Sequence, residues 1–194
     1  MVVTVSHTGY IKRSPLSLYR AQHRGGQGKA AMVTKEEDFV SDLFVASTHD
    51  YFLIFTDRGR VFCKKVYNIP LSGPVSKGKA LVNLIALDKD EKVKTFMPVS
   101  NFDETNFVVF ATKNGIVKKT ELSLFNSIRS TGIVALLLDD EDELVSAKIT
   151  NGKQDLFIGT KNGLSIKFSE NLTFLMGFMS LTAKLAFFRE NFPR

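Results

Sequence analysis

Hydrophobic and polar residues alternate along this chain in short runs, and no long segment shows the 3.6-residue period of a helix. Four passages share one plan: an apolar run, a polar turn ending in glycine, and a second alternating run. They read VTVSHTGYIKRSPL from residue 3, YFLIFTDRGRVFCKKV from residue 51, FVVFATKNGIVKKTEL from residue 107 and LFIGTKNGLSIKF from residue 156. The last two contain Asn-Gly, a strong hairpin signal because both residues tolerate positive φ. The pattern predicts four β-hairpins.

The hairpins recur with a regular spacing. The turn glycines Gly9, Gly59, Gly115 and Gly163 lie 50, 56 and 48 residues apart, a period typical of one small antiparallel sheet per repeat. A second glycine follows three of them, at residues 28, 78 and 132, and precedes apolar runs such as 82–87 and 133–138. Acidic turns come next, at residues 36–38, 88–91 and 139–143.

Each unit is therefore predicted to contain a hairpin, a basic glycine-containing loop, a strand, an acidic turn and a further strand. We predict an all-β, propeller-like fold of about four four-stranded blades over residues 1–171. Residues 172–194 change character, and we expect them to form a divergent hydrophobic tail. A β-sandwich with accidental periodicity is the alternative.

Charge narrows the possible partners. The 194 residues carry a formal net charge of +6, which favours an anionic partner such as nucleic acid or a membrane surface. The apolar stretch from residue 172 to 188 is too short and too interrupted to span a membrane, so no membrane role is expected. The single cysteine, Cys63, excludes an internal disulfide framework and suits a reducing cytoplasm.

The positive residues concentrate on the second strand of each hairpin and on the loop that follows. If the blades are radial, equivalent positions form a basic rim that neutralises phosphates along a curved path. A solvated strand face, whose lysines block unwanted pairing, is the alternative. The candidate rim residues are Lys12, Arg13, Arg20, Arg58, Arg60, Lys64, Lys65, Lys77, Lys79, Lys118, Lys119 and Arg129.

Catalytic chemistry finds little support. Residues 73–80, GPVSKGKA, nearly match a phosphate-binding loop, but Ala80 replaces the magnesium-binding hydroxyl and Pro74 removes a backbone N–H. A nucleotide-dependent enzyme built on this loop is a third hypothesis, and the weakest. The sequence shows no nucleophile motif and no metal-ligand spacing. We expect no catalytic residue, no metal and no cofactor.

The stretches YIKRSPLSLYRAQHRGGQGKAAM and THDYFLIFTDRGRVFCKKVYNIP resemble the C-terminal domain of the bacterial DNA gyrase A protein. That family carries a diagnostic box that reads approximately Q-R-R-G-G-K-G. Here a histidine and a glutamine replace two of its basic residues, and a lysine follows the last glycine. The resemblance assigns DNA binding to Gln22, His23, Arg24, Gly25, Gly26, Gln27, Gly28 and Lys29.

The resemblance implies a β-pinwheel of about six blades that wraps double-stranded DNA on its basic rim. It also implies partnership with the gyrase A N-terminal cleavage region and with gyrase B, in the bacterial cytoplasm at the nucleoid. The domain would take no part in catalysis itself and would support negative supercoiling by the holoenzyme. Since about four units fit in this chain, we expect an incomplete disc. The equivalent protein of topoisomerase IV is a related alternative, although its box is usually degenerate; a protein-interaction propeller is another.

Overall fold

The computed structural model describes residues 1–19, 32, 38–161, 163–174 and 183–184 and shows an all-β chain whose strand ladders are antiparallel. The strands are β1 Val2–Ser6, β2 Tyr10–Ser14, β3 Val40–Val45, β4 Tyr51–Thr56, β5 Arg60–Lys65, β6 Lys79–Ala80, β7 Val93–Val99, β8 Phe107–Thr112, β9 Val117–Glu121, β10 Ile133–Val134, β11 Leu144–Thr150, β12 Asp155–Thr160, β13 Ser165–Ser169 and β14 Ala183–Lys184. Short 3₁₀ helices cover Leu16–Leu18, Val66–Asn68, Leu81–Asn83, Leu122–Phe125 and Glu170–Phe174.

All four predicted hairpins are present, as the pairs β1–β2, β4–β5, β8–β9 and β12–β13. The turn glycines have positive φ values of 84°, 72°, 89° and 83°, a conformation that residues with a Cβ rarely adopt. A hydroxyl three residues before each glycine accepts a hydrogen bond from the backbone N–H just after it, over 3.1–3.3 Å. The acceptors are Ser6, Thr56, Thr112 and Thr160.

The strand after each acidic turn returns to its own hairpin. Strands β3, β7 and β11 pair with β1, β4 and β8, the first strands of the first three hairpins. Strand β14 takes the same place beside β12. This part of the repeat agrees with the prediction.

The strand after the glycine loop does not stay within its own unit, as the predicted order required. Strand β6 pairs with β2 of the preceding hairpin, and β10 pairs with β5 in the same way. The predicted strand over residues 82–87 is wrong: a 3₁₀ helix, Leu81–Asn83, follows β6, and it buries Leu81 and Ile85 against the neighbouring strands. The units are thus interlocked by strand exchange.

We define blade 1 as β3-β1-β2-β6, blade 2 as β10-β5-β4-β7, blade 3 as β11-β8-β9 and blade 4 as β13-β12-β14, all in sheet order except that blade 2 runs in reverse. The blades pack face to face, because alternate residues of one strand enter different cores. Phe52 and Ile54 of β4 join the core shared with blade 1, whereas Leu53 and Phe55 join the core shared with blade 3. A smaller core, including Val109 and Leu156, joins blades 3 and 4. The predicted propeller-like, all-β fold class is confirmed.

Two features decide which edge of each blade faces outward. Strands β7 and β11 contact each other across the junction of blades 2 and 3, so the blades come closest at these strands. The second hairpin strand and the exchanged strand lie at the opposite side of the sheet order. The strands that carry most of the predicted basic residues are therefore on the outer side.

Candidate nucleic-acid interface

Four of the predicted rim residues are exposed on the outer side of the blades. Arg58 lies in the turn of the β4–β5 hairpin, Lys79 in the exchanged strand β6, Lys118 in β9 and Arg129 in the loop before β10. Arg58 donates to the carbonyl of Lys89 over 2.8 Å, and Lys118 donates to that of Ala135 over 3.3 Å. Each side chain remains accessible to a phosphate.

Two half-buried lysines are held over aromatic rings. The Lys65 Nζ lies 3.2 Å from the Tyr51 ring centroid and donates to the His49 carbonyl, and the Lys77 Nζ lies 3.7 Å from the Tyr10 centroid. A cation over an aromatic face is stabilised without losing its charge, so both ammonium groups stay fixed near the surface.

Arg13 and Lys64 are also half-buried. Arg13 Nε donates to the Ile69 carbonyl over 2.7 Å, and its Nη2 donates to the Tyr67 carbonyl over 3.2 Å. The Arg13 guanidinium therefore ties the loop after β5 to blade 1. Lys64 lies beside a cavity between blades 1 and 2.

Lys12 occupies a different environment from the other candidates. Its side chain is fully buried, and its Nζ donates to the carbonyls of Gly73, Pro74 and Ser76 over 2.9, 2.8 and 2.7 Å. Burial lowers the pKa of this ammonium from its usual value. Because its hydrogen bonds are directed inward, Lys12 holds the glycine loop of the second unit onto blade 1 and is unavailable to a partner.

Arg60 and Lys119 form ion pairs within the fold. Arg60 Nη1 lies 2.9 Å from the buried Glu91 carboxylate and 2.9 Å from Asp88. Lys119 Nζ lies 3.4 Å from the buried Glu170 carboxylate and 4.2 Å from the Phe107 ring centroid. Their charges are balanced by these carboxylates, so both residues contribute less to the surface field than the sequence indicates.

The glycine-rich box and its flank lie outside the described residues. This applies to Arg20 and to the whole run Gln22, His23, Arg24, Gly25, Gly26, Gln27, Gly28 and Lys29.

The acidic turns hold the hairpin turns in place, a role that sequence reasoning missed. Asp38 Oδ1 accepts from the backbone N–H of Thr8 over 2.9 Å, and Asp142 Oδ1 accepts from that of Asn114 over 3.0 Å. In blade 2, Glu91 accepts from Thr56 Oγ1 over 2.6 Å. The recurring Ser/Thr-x-x-Gly of the hairpins, followed by an acidic turn, is the signal that could have revealed these contacts.

One acidic residue links two blades. Glu143 binds Lys94 of blade 2 over 2.8 Å and Lys113 of the blade 3 hairpin turn over 3.1 Å. The hydrogen bonds from these two lysines lower the pKa of Glu143. Charge on this side of the molecule is therefore balanced across the junction.

The described residues do not assemble a catalytic centre. The near match to a phosphate-binding loop presents three carbonyls to Lys12 rather than N–H groups to an anion, and it continues into β6 rather than an α-helix. Burial raises the pKa of Cys63, although Lys65 and Lys64 oppose the shift, which keeps the thiol protonated. In the described part of the chain, no three His, Cys, Asp or Glu residues come together as a metal site. No helix in that part is long and apolar enough to cross a membrane.

Comparison with known proteins agrees with the geometry. Residues 1–47, 50–100 and 106–151 match the family described as DNA gyrase C-terminal domain, beta-propeller. The chain belongs to this family. The DNA gyrase A protein of Clostridium acetobutylicum is 46% identical over 170 residues, which cover 88% of this chain and 20% of that protein. The predicted resemblance to the gyrase A protein is confirmed.

Two solved structures share the fold. The C-terminal domain of DNA topoisomerase IV superposes with a TM-score of 0.74 at 30% identity, over 87% of this chain and 51% of that one. A DNA gyrase A C-terminal domain superposes with a TM-score of 0.66 at 22% identity, over 87% and 54%. This gyrase-family chain thus spans about a fifth of the length of its curated relative and about half of each solved domain.

Proposed function

We propose that this gyrase-family domain binds double-stranded DNA without sequence preference and bends it around the outer side of its blades. The observation that carries the proposal is the outward placement of the exposed Arg58, Lys79, Lys118 and Arg129 on successive units. Charges repeated along a curved edge neutralise phosphates along a bent path, which favours wrapping over base reading. Family membership supports the same function.

The proposed binding set differs from the one that the sequence predicted. Lys65, Lys77, Lys64 and Arg13 supply partly buried charge at the same edge, whereas Lys12 is directed into the fold. Arg60 and Lys119 belong to internal ion pairs and act mainly on stability. The Gln22–Lys29 box and Arg20 remain part of the proposed contact set on the strength of the resemblance.

In a larger assembly, the domain would hold a DNA segment for strand passage by a type II topoisomerase. The proposed partners are the gyrase A N-terminal cleavage region and gyrase B, in the bacterial cytoplasm at the nucleoid. The domain would supply no catalytic residue or cofactor to the reaction. A topoisomerase IV role is the second candidate, favoured by the TM-score of 0.74 to that enzyme's C-terminal domain.

The test is a titration of the purified chain with linear duplexes of two lengths at several salt concentrations. We expect the longer duplex to bind more tightly and the affinity to fall linearly on a log–log plot against salt. A duplex labelled at both ends with a fluorophore pair should show its ends moving closer on binding. Affinity that is independent of salt, or salt-dependent binding without end approach, would contradict wrapping.

A further inference from the structure

A cavity of about 190 Å³ lies at the junction between blades 1 and 2. Its floor is apolar, and its mouth carries an ammonium group and two carboxamides. The floor residues are Ile11, Ile54, Ile69 and Leu84, and the mouth residues are Lys64, Asn68 and Asn83. Asn68 and Asn83 are exposed and Lys64 is half-buried, so the polar groups border solvent.

The junction between blades 2 and 3 shows what the repeat places in this space elsewhere. The pairs Tyr10↔Ala80 and Arg60↔Val134 establish which positions are equivalent in the two junctions. By this correspondence, Phe110 stands where blade 2 has Ile54, and Phe125 stands where it has Ile69.

These phenylalanines fill the second junction. Phe55, Phe110 and Phe125 form an edge-to-face cluster with ring centroids 5.4, 6.1 and 6.3 Å apart. Ile54 and Ile69 are smaller than phenylalanine, and the cavity lies beside them. The first junction is therefore the less completely filled of the two.

The rim differs between the junctions in the same direction. Lys64, Asn68 and Asn83 correspond to Thr120, Leu124 and Leu137. Leu124 and Leu137 are 66% and 87% exposed, so the second junction has an apolar rim over a filled core. Of these two junctions, the one that has space in its floor is the one that carries an ammonium group and two carboxamides at its mouth.

We infer that this cavity binds a single nucleobase together with its phosphate. An apolar cavity of about 150 Å³ accommodates a benzene ring, so a volume of 190 Å³ admits one planar ring system. Each carboxamide offers a donor and an acceptor in one plane, the combination that reads base edges. The Lys64 ammonium supplies a point charge for the phosphate attached to that base.

This inference goes beyond the proposed wrapping function, because a base stacked inside a duplex cannot enter a cavity of this kind. The ligand is either a free nucleotide or an unpaired nucleotide of a DNA strand. Both present the same ring, edge and phosphate to the site. Wrapping needs only backbone phosphates, so either activity can fail without the other.

The isoleucine side chains allow a direct test. The chain is labelled at isoleucine methyl groups and titrated with deoxyadenosine monophosphate, with a blunt duplex, and with the same duplex carrying an unpaired overhang. We expect the methyl signals of Ile11, Ile54 and Ile69 to shift, and those of Ile133 and Ile149 at the second junction to stay in place. A shift with the nucleotide identifies a free ligand, and a shift with the overhang alone identifies DNA as its source.

Two variants use the second junction as a template. Ile69→Phe fills the floor as Phe125 does, and Asn68→Leu changes only the rim, as Leu124 does. Each should weaken the nucleotide or overhang interaction about tenfold or more, while blunt-duplex affinity is retained. Lys65→Ala, which removes the same charge outside the cavity, is the control. Dispersed methyl signals verify that each variant is folded.

The inference is overturned if neither the nucleotide nor the overhang shifts the three methyl signals. It is also overturned if the same shifts persist in both variants, since the ligand would then bind elsewhere. Loss of blunt-duplex binding in the parent chain would contradict wrapping and leave the methyl result to decide on the cavity.

Discussion

At the scale of single residues, the environment of a charge decides its role. Lys12 and Lys118 stand at equivalent positions, three residues after the turn glycines of the first and third hairpins. Lys118 is exposed, whereas the Lys12 ammonium is enclosed by three carbonyls. The same residue type in the same repeat position therefore fixes a loop in one blade and faces solvent in another.

We predict that Lys12→Met destabilises the chain by about 3 kcal/mol, because buried carbonyls lose a charged donor that water cannot replace. The matched control, Lys118→Met, should cost less than about 1 kcal/mol, since an exposed lysine makes few contacts. Urea unfolding followed by circular dichroism measures both values. Equal costs would mean that the enclosure of Lys12 contributes nothing to stability.

The burial of Lys12 could not have been predicted from its neighbours in sequence. Its carbonyl partners lie 61 to 64 residues further along the chain and reach it only after the second unit folds onto the first. Local alternation correctly placed Lys12 on a strand. It could not show that a distant loop covers that face.

At the scale of elements, the hairpins were predictable because their signals are local. A glycine with positive φ and a hydroxyl three residues earlier specify each turn within a few residues. The strand exchange was not predictable in the same way. Strand β10 pairs Ile133 with Val61, 72 residues away, and a two-residue strand has almost no pattern of its own.

The exchange depends on close packing at a turn glycine. A Cβ on Gly59 would lie 2.2 Å from the carbonyl oxygen of Leu136, and this glycine's own carbonyl accepts from the N–H groups of Ala135 and Leu136. A Cβ on Gly9, in the equivalent turn, would come no closer than 3.9 Å, to Leu81 Cδ1. The second and third units are thus joined more tightly at this point than the first and second.

We predict that Gly59→Ala costs about 3 kcal/mol or more, from the left-handed backbone and the backbone clash together. Gly9→Ala should cost only about 1–2 kcal/mol, the penalty of the backbone conformation alone. Denaturant unfolding compares the two, and hydrogen exchange at Ala135 and Leu136 reports on the junction itself. If the two variants proved equally stable, the contact with Leu136 would not be a constraint.

At the scale of the whole molecule, the net charge of +6 does not describe the field that a partner meets. Lys12 is enclosed, Arg60 and Lys119 face buried carboxylates, and Lys94 and Lys113 share Glu143. The exposed cations lie instead on the outer strands and loops. The sequence predicted the sign and general position of this charge correctly, but tertiary contacts determine which members of the set can reach DNA.

The final prediction separates these two groups of cations by the salt dependence of DNA binding. Each phosphate contact contributes about 0.9 to the slope of log affinity against log salt. Lys118→Gln and Arg129→Gln should each reduce that slope by about this amount and leave the melting temperature nearly unchanged. Arg60→Gln should lower the melting temperature and leave the slope intact, because this arginine binds Glu91 and Asp88 instead of phosphate. A slope that changes with Arg60→Gln, or fails to change with Lys118→Gln, would show that DNA follows a different edge of the blades.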